Sequence, residues 1–335
     1  MPGIDSQASR KAITTKRKEY KLSKRFKPID LKDIETYSIK DRKSKVDIRD
    51  LGIPYERGSS FKEFSDTLPN ILAAKDIKEV ANRVVSAYKA KKVVAMGMGA
   101  HVIKVGLGPV IIDLMEREII TSVSMNGAGI IHDSELAMIG QTSEDVAAEL
   151  KGGAFGMAEE TGRILNEAIK DGVKKGYGIG RAVGERLLKE EFPYNEKSIL
   201  AAGARLDIPV TVHVAVGTDI IHMHPSCSGA AVGEGSHIDF RLFSSVVSKL
   251  EGGVYLNIGS AVILPEVFLK ALTLVRNLGH EVNNFTTVNM DFIQGYRPLT
   301  NVCKRPTMTG GRGYSLTGHH EIMLPLLAAM VKEEI

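Results

Sequence analysis

The chain has no tryptophan, two cysteines and only 6% aromatic residues among 335. Cys227 and Cys303 form no CxxC pair, which excludes a disulfide framework and a zinc ribbon, so packing must hold the fold. Long hydrophobic runs are missing too. The nearest approach to a membrane span, Val93–Ile112, is interrupted by His101, Lys104, four glycines and Pro109, and reads instead as a buried strand, a glycine loop and a helix. No membrane association and no secretory signal are expected, and a cytoplasmic location is the default. A Walker A loop is absent, and the strict dinucleotide fingerprint is not met. Gly97-x-Gly99 is followed three positions on by Val102, and no acidic residue ends the next strand.

What is present is an ordinary globular composition, 43% hydrophobic and 25% charged, which excludes wholesale disorder and collagen-like repeats. The net charge of +4 is unevenly spread. Residues 1–50 carry 15 Lys and Arg against 8 Asp and Glu, while the remainder carries 29 against 32. The basic excess, in Lys16-Arg17-Lys18 and Lys24-Arg25-Phe26-Lys27, therefore marks a leader, and the expected organisation is a basic N-terminal arm over 1–65 and one α/β domain over 66–335. Such an arm binds an acidic partner or wraps a neighbouring subunit. Nucleic acid is not the expected partner, because no zinc-finger, RRM or KH signature accompanies the charge.

Beyond residue 66 the pattern becomes regular. Ile77, Val80, Ala81, Val84, Val85 and Tyr88 keep helical spacing behind an Asp76/Glu79 capping pair. Buried strands are predicted at 92–98, 120–125, 210–216, 254–258 and 285–290. Helices are predicted at 102–118, across much of 142–205, and at 237–250, 265–278 and 321–331. Strands alternating with helical crossovers predict a mostly parallel sheet with helices on both faces. Each predicted strand ends in a polar or glycine loop, and ligands of open α/β sheets bind at that edge. Five such loops together predict a nucleotide-sized crevice. The candidate cofactor-binding residues are Gly97, Gly99, Asn126, Gly127, Ala128, Gly129, Thr218, Asp219, Gly259, Ser260, Asn289 and Asp291.

The order and spacing of these loops resemble the deoxyhypusine synthase family. The stretch 99–118 is similar to that family's first nucleotide loop and following helix. Gly127-Ala128-Gly129-Ile130-Ile131-His132-Asp133 resembles its Ala-Gly-Gly-Val-Glu-Glu-Asp block. Ile208-Pro209-Val210 leading to Gly217-Thr218-Asp219 resembles an Ile-Pro-Val strand ending in Thr-Asp-Gly. Asn257–Val262 sits where a Gly-Gly-Gly-Val turn is expected, Val288-Asn289 answers Ile-Asn-Thr, and Leu324-Pro325-Leu326-Leu327 resembles Phe-Pro-Leu-Leu. The resemblance spans about residues 90–330. It implies a modified NAD-binding, Rossmann-like domain, NAD as cofactor, transferase or oxidoreductase chemistry, and a homotetramer with sites at subunit interfaces.

The departures bear on the reaction. The family's paired glutamates, which help hold a polyamine, are replaced by Ile131 and His132, and only Asp133 keeps its charge. A buried cation without its carboxylates is costly, which argues against spermidine. The family's Trp-Gly-Lys segment has no counterpart, and Lys304 is the nearest substitute amine. Histidines stand in for the missing groups. His222 and His224 follow Asp219, and with His132 and Lys304 they make up the candidate catalytic set. On an extended segment the His-x-His pair would present both rings to one face and could bind a metal, although no metal site is assigned. Three functions follow. The first is an NAD-dependent enzyme transiently dehydrogenating a small amine or alcohol. The others are a metal-assisted hydrolase or deaminase built on His222, His224 and Asp219, and a non-catalytic nucleotide- or protein-binding module. The other His-rich segment is His319-His320-Glu321, and the run from Gly295 to Gly318 is expected to be one long functional loop.

Overall fold

The computed structural model describes residues 26–335. The chain divides into two units, Met1–Val46 and Asp47–Ile335. The described part of the first has little regular structure beyond a 3-10 turn at Ile39–Asp41, capped by the Ser38 hydroxyl. The basic runs Lys16-Arg17-Lys18 and Lys24-Arg25 lie outside the described residues.

In the second unit, helices α1 (Phe61–Thr67) and α2 (Leu72–Lys89) precede a six-stranded parallel sheet. Its strands are β1 (Val94–Met98), β2 (Ser122–Asn126), β3 (Val210–His213), β4 (Val254–Ile258), β5 (Thr286–Asp291) and β6 (Arg312–Thr317). The order across the sheet is β3-β2-β1-β4-β5-β6, a Rossmann-like α/β arrangement whose direction of winding reverses between β1 and β4. Between β1 and β2 lie α3 (His101–Lys104) and α4 (Gly108–Glu116). Helices α5 (Gly127–Ile139), α6 (Val146–Leu150), α7 (Glu159–Val173), α8 (Ile179–Glu190) and α9 (Ile199–Leu206) fill the long crossover to β3. Helices α10 (Gly229–Val247) and α11 (Ile263–Asn277) flank β4, α12 (Tyr296–Pro298) follows β5, and α13 (His320–Lys332) closes the chain.

Every residue of β1, β4 and β5 is buried, as in a parallel sheet covered on both faces, although β5 (Thr-Thr-Val-Asn-Met-Asp) is largely polar. Alternation sends Val94, Met96, Met98, Val254, Leu256 and Ile258 to one layer, while Ala95 and Tyr255 enter the other with Phe243 and Phe268. Tyr255 stacks on Phe268 at 4.0 Å and 9°. Complete burial of an aromatic ring such as Phe268 contributes roughly 1.5–3 kcal/mol. The sheet's β3 edge is closed from α10. Asp239 accepts the N–H groups of Val212 (2.9 Å) and Gly180 (3.0 Å), and Ser236 accepts that of Val214 (3.2 Å), so the edge offers little to another strand.

Three sequence expectations are corrected. The expected loop between Gly295 and Gly318 holds α12, a π-turn at Leu299–Lys304 and the sixth strand. β6 buries only Tyr314 and Leu316, as a half-exposed edge strand does, so it lacks the complete burial of β5 beside it. The helix expected over 102–118 is two pieces, broken at Gly106, whose φ of +83° leaves the helical region. The third strand stops at His213, three residues earlier than its apolar pattern suggested.

Candidate functional site

Because all six strands are parallel, their carboxyl ends share one edge. At the β2 end, Asn126 caps α5 by accepting the Gly129 N–H at 3.2 Å, and Ala128 is half-buried in that turn. Asp219, from the loop after β3, lies over Gly127, where any Cβ would overlap its carboxylate. Its Oδ2 is buried without a hydrogen-bond partner, and burial raises its pKa above the usual carboxylate range. Thr218 beside it is exposed and donates to the Ala215 carbonyl at 2.7 Å.

At the opposite end a chain of amides ties three strands together. Asn257 Nδ2 donates to Asn289 Oδ1 (2.7 Å) and to the Ser260 carbonyl (2.9 Å). Asn289 Nδ2 donates to Gln294 Oε1 (2.7 Å), whose own amide reaches the carbonyls of Asp291 (3.2 Å) and Leu316 (3.0 Å). Ser260 Oγ accepts the Leu264 N–H at 3.2 Å and so starts α11. This amide chain, in which only Asn257 Oδ1 is left without a partner, holds the ends of β4, β5 and β6 in fixed relation.

Against this frame sits His320, the first residue of α13 and 1% exposed. Neither ring nitrogen has a hydrogen-bond partner, and Asp291 Oδ1 stands 3.8 Å from Nε2, beyond hydrogen-bond range. Burial lowers the His320 pKa, with Asp291 opposing, so the ring is neutral near pH 7. The ring fits because residue 259 is glycine: a Cβ there would come to 3.0 Å from both Cε1 and Nε2, and its φ is +64°. Phe292 (centroid 6.0 Å) and His101 (5.8 Å) complete the surround, and His319 stacks on Phe292 at 6.0 Å and 7°.

The other expected residues are placed as follows. His222 lies in a 3-10 turn (Ile220–His222), not on an extended segment. Its Nδ1 accepts the N–H groups of Gly217 (3.2 Å) and Asp219 (3.4 Å), which puts the proton on Nε2, buried without a partner. His224 turns elsewhere: Nδ1 accepts the Ser226 N–H at 3.1 Å, leaving Nε2–H to donate to Glu159 at 3.0 Å. Thus the two rings do not share a face, and among the described residues no group of three His, Cys, Asp or Glu side chains is arranged to hold a metal ion. His132 donates from Nδ1 to Thr142 (2.7 Å), whose hydroxyl is committed to Glu135 (2.5 Å). Thr142 and Glu135 line a cavity of about 840 Å³ formed with residues of α6 and α7. Lys304 is exposed at the end of the π-turn. The neighbouring Cys303 backbone packs on Gly313, which pairs with Thr287 near the amino end of β5, so Lys304 is not brought to the carboxyl edge.

Gly97 and Gly99 have packing reasons for lacking a side chain, since a Cβ would overlap the Tyr255 hydroxyl and the Gly259 carbonyl respectively. Asp133 is not available to a cation. Fully buried, it accepts the N–H groups of Ile199 (2.8 Å) and Leu200 (3.1 Å) at the start of α9, and burial pushes its pKa up to about 6. Cys303 donates to the Tyr314 carbonyl at 3.0 Å, and burial pushes its thiol up to about 11, far from an activated thiolate. From the sequence, His320 stands out only within the His319-His320-Glu321 segment and is not among the candidate catalytic residues, nor are His101 and Phe292. What the sequence does not carry is that the segment before this His-His pair is a strand, β6, which sets His320 at the carboxyl edge.

No protein-family model matches the chain, and no curated protein is similar to it in sequence. Among solved structures it is similar to unliganded AgrE, with 14% identity and a TM-score of 0.51, over 80% of this chain and 34% of AgrE. AgrE is also seen in a ternary complex with ornithine and NAD+, at 13% identity and TM-score 0.48, over 77% and 32% of the two chains. Two further likenesses are to a candidate LOR/SDH protein from Methanococcus maripaludis S2 (15%, TM-score 0.49, 78% and 70% covered) and a candidate deoxyhypusine synthase from Entamoeba histolytica (12%, TM-score 0.49, 84% and 96% covered). The chain thus spans about a third of AgrE's length, and at these identities the likeness is one of fold. Among the described residues no helix is long and apolar enough to cross a membrane.

Proposed function

We propose that the chain is an enzyme that holds a nicotinamide-type dinucleotide along the carboxyl edge and oxidises a small alcohol or amine there, working as a homo-oligomer. The observation that carries this reading is a set of buried polar atoms without partners along that edge: Asp219 Oδ2 and His222 Nε2 beyond β3, Asn257 Oδ1 at β4, and both ring nitrogens of His320 beside β5 and β6. Leaving such an atom unpaired costs about 1–3 kcal/mol. A ligand that pairs them recovers that cost. Their spread also selects the ligand. Four strand spacings of about 4.8 Å separate β3 from β5, on the order of 19 Å, too far for one small substrate but suited to a two-headed nucleotide.

The donor set supports the same choice. Asp219 Oδ2 accepts, as ribose hydroxyls require, and His222 Nε2–H donates beside it. Open α/β sheets bind ligands where the strand order reverses, as it does here between β1 and β4, which supports a ligand spanning these two ends. AgrE, which shares the fold, holds NAD+ together with ornithine. When bound, the nicotinamide supplies an acceptor for hydride. The chain's own contribution is a rigid amide-linked platform at β4–β6 and polar groups set in place before the ligand arrives.

Calorimetric titration of the full chain with NAD+ tests the reading. Saturable binding is expected, and Asp219→Ala should weaken it about 10-fold or more, since a hydrogen bond to a charged group contributes roughly 1.5–3 kcal/mol. Unchanged far-UV circular dichroism would show that the variant still folds. No saturable heat with the wild-type chain refutes the proposal.

A further inference from the structure

We infer that His320 is the group that takes the substrate's proton, with the Asp291 carboxylate facing its ring; this rests on the dinucleotide reading above. The imidazoles differ in how far their nitrogens are committed. His224 has both nitrogens engaged, by Ser226 and Glu159. His222 accepts at Nδ1 from two backbone N–H groups, so its remaining nitrogen carries a hydrogen and cannot accept one. His132 is tied through Thr142 to Glu135, beside the cavity flanked by α5, α6 and α7. His320 alone among these combines near-complete burial with two uncommitted nitrogens.

Its surroundings suit the task. A neutral imidazole has one nitrogen able to accept, and burial keeps the ring neutral near pH 7. Asp291, anchored by accepting the Phe292 N–H at 2.8 Å, faces the ring from β5 and stabilises the imidazolium that forms on proton uptake. The other titratable groups facing it are His101 from α3, which opposes protonation, and Glu321 on its own helix, which favours it. Gly259 makes room for the His320 ring itself on the β4 side, and the exposed Phe292 and His319 rings stack beside it, a flat surface for a planar group.

In the reaction, the O–H or N–H proton of the substrate passes to a His320 ring nitrogen. The adjacent C–H bond gives up its hydride, leaving a carbonyl or imine, and the bound nicotinamide is the two-electron acceptor that balances the step. Alcohol and amine share this chemistry at the reacting atom.

The test is nuclear magnetic resonance of the full chain with its histidines labelled in the ring, His320 being assigned from the signal lost in His320→Asn. NAD+ is the probe. The expected result is that NAD+ moves the His320 signals while those of His280, in the turn before β5, stay in place, and that Asp291→Asn lowers the apparent pKa of His320. The second readout does not depend on turnover, and a purely structural Asp291 would leave it unmoved. If NAD+ binds by calorimetry while the His320 signals stay put, or if His320 titrates identically in Asp291→Asn, the inference is overturned and the dinucleotide reading stands. If NAD+ does not bind, both fall. Should His320→Asn fail to fold, Gly259→Ala supplies the assignment, because its Cβ presses on that ring and on no other imidazole.

Discussion

Asp239 should make the protein lose stability as pH rises through neutrality. The carboxylate is 1% exposed on α10, accepts the N–H groups of Gly180 and Val212, and has its other oxygen unpartnered against Gly178. Burial dominates, and its pKa is pushed up to about 7 from an ordinary 3.8. A carboxyl with a raised folded pKa holds its proton more tightly when folded. Its contribution to stability is therefore fully present below the unfolded pKa and is lost as pH rises through about 7. Linkage between a folded pKa of about 7 and an unfolded one of 3.8 gives a loss of about 2 kcal/mol between about pH 5.5 and about pH 8. Asp239→Asn keeps one accepting oxygen for the two N–H groups and removes the titration. Urea unfolding followed by far-UV circular dichroism, which does not depend on the absent tryptophan, measures both proteins at each pH. Groups common to both cancel in the difference. The wild type should lose about 2 kcal/mol more than the variant over that range. Parallel pH profiles would refute the reasoning, because they would mean that the carboxyl is ionised throughout or reaches water.

Gly259→Ala should cost about 1–2 kcal/mol, from a left-handed residue with a Cβ pressed on the His320 ring, and should shift the His320 resonances; unchanged resonances would show that the ring lies elsewhere. The chain should run in multi-angle light scattering at a multiple of 36.4 kDa, as the proposed homo-oligomer requires and as the exposed Phe292, Ile293 and Tyr296 beside the edge favour. A monomer at micromolar concentration would remove the oligomer from the proposal.

Local pattern was a good guide wherever burial was two-sided. β1, β4 and β5 are buried along their whole length because both faces are covered, and they lie within a residue or two of where their sequence put them. β6 was read as loop because only Tyr314 and Leu316 face the core, and its glycine-rich approach looks like turn chemistry. Without that strand the place of His320 is not legible, since it reaches the site only at the carboxyl end of β6 beside Asp291. By sequence alone, the glycines at the strand ends suit the close approach of a ligand. At 97 and 99 the structure supplies nearer reasons, the Tyr255 hydroxyl and the Gly259 backbone.

By itself the sequence determined the class of fold: alternating periodicities of two and 3.6 leave a covered parallel sheet as the economical way to bury so many apolar runs. It also determined which edge carries the polar loops, because parallel strands all end there. Tertiary structure alone decided which histidine is free. A ring's tautomer and burial depend on groups far away in sequence: the Glu159 carboxylate that engages His224, and the Asp291 carboxylate and Gly259 backbone around His320. Spacing along the chain carries periodicity, but it does not carry the contacts that commit or free a ring nitrogen.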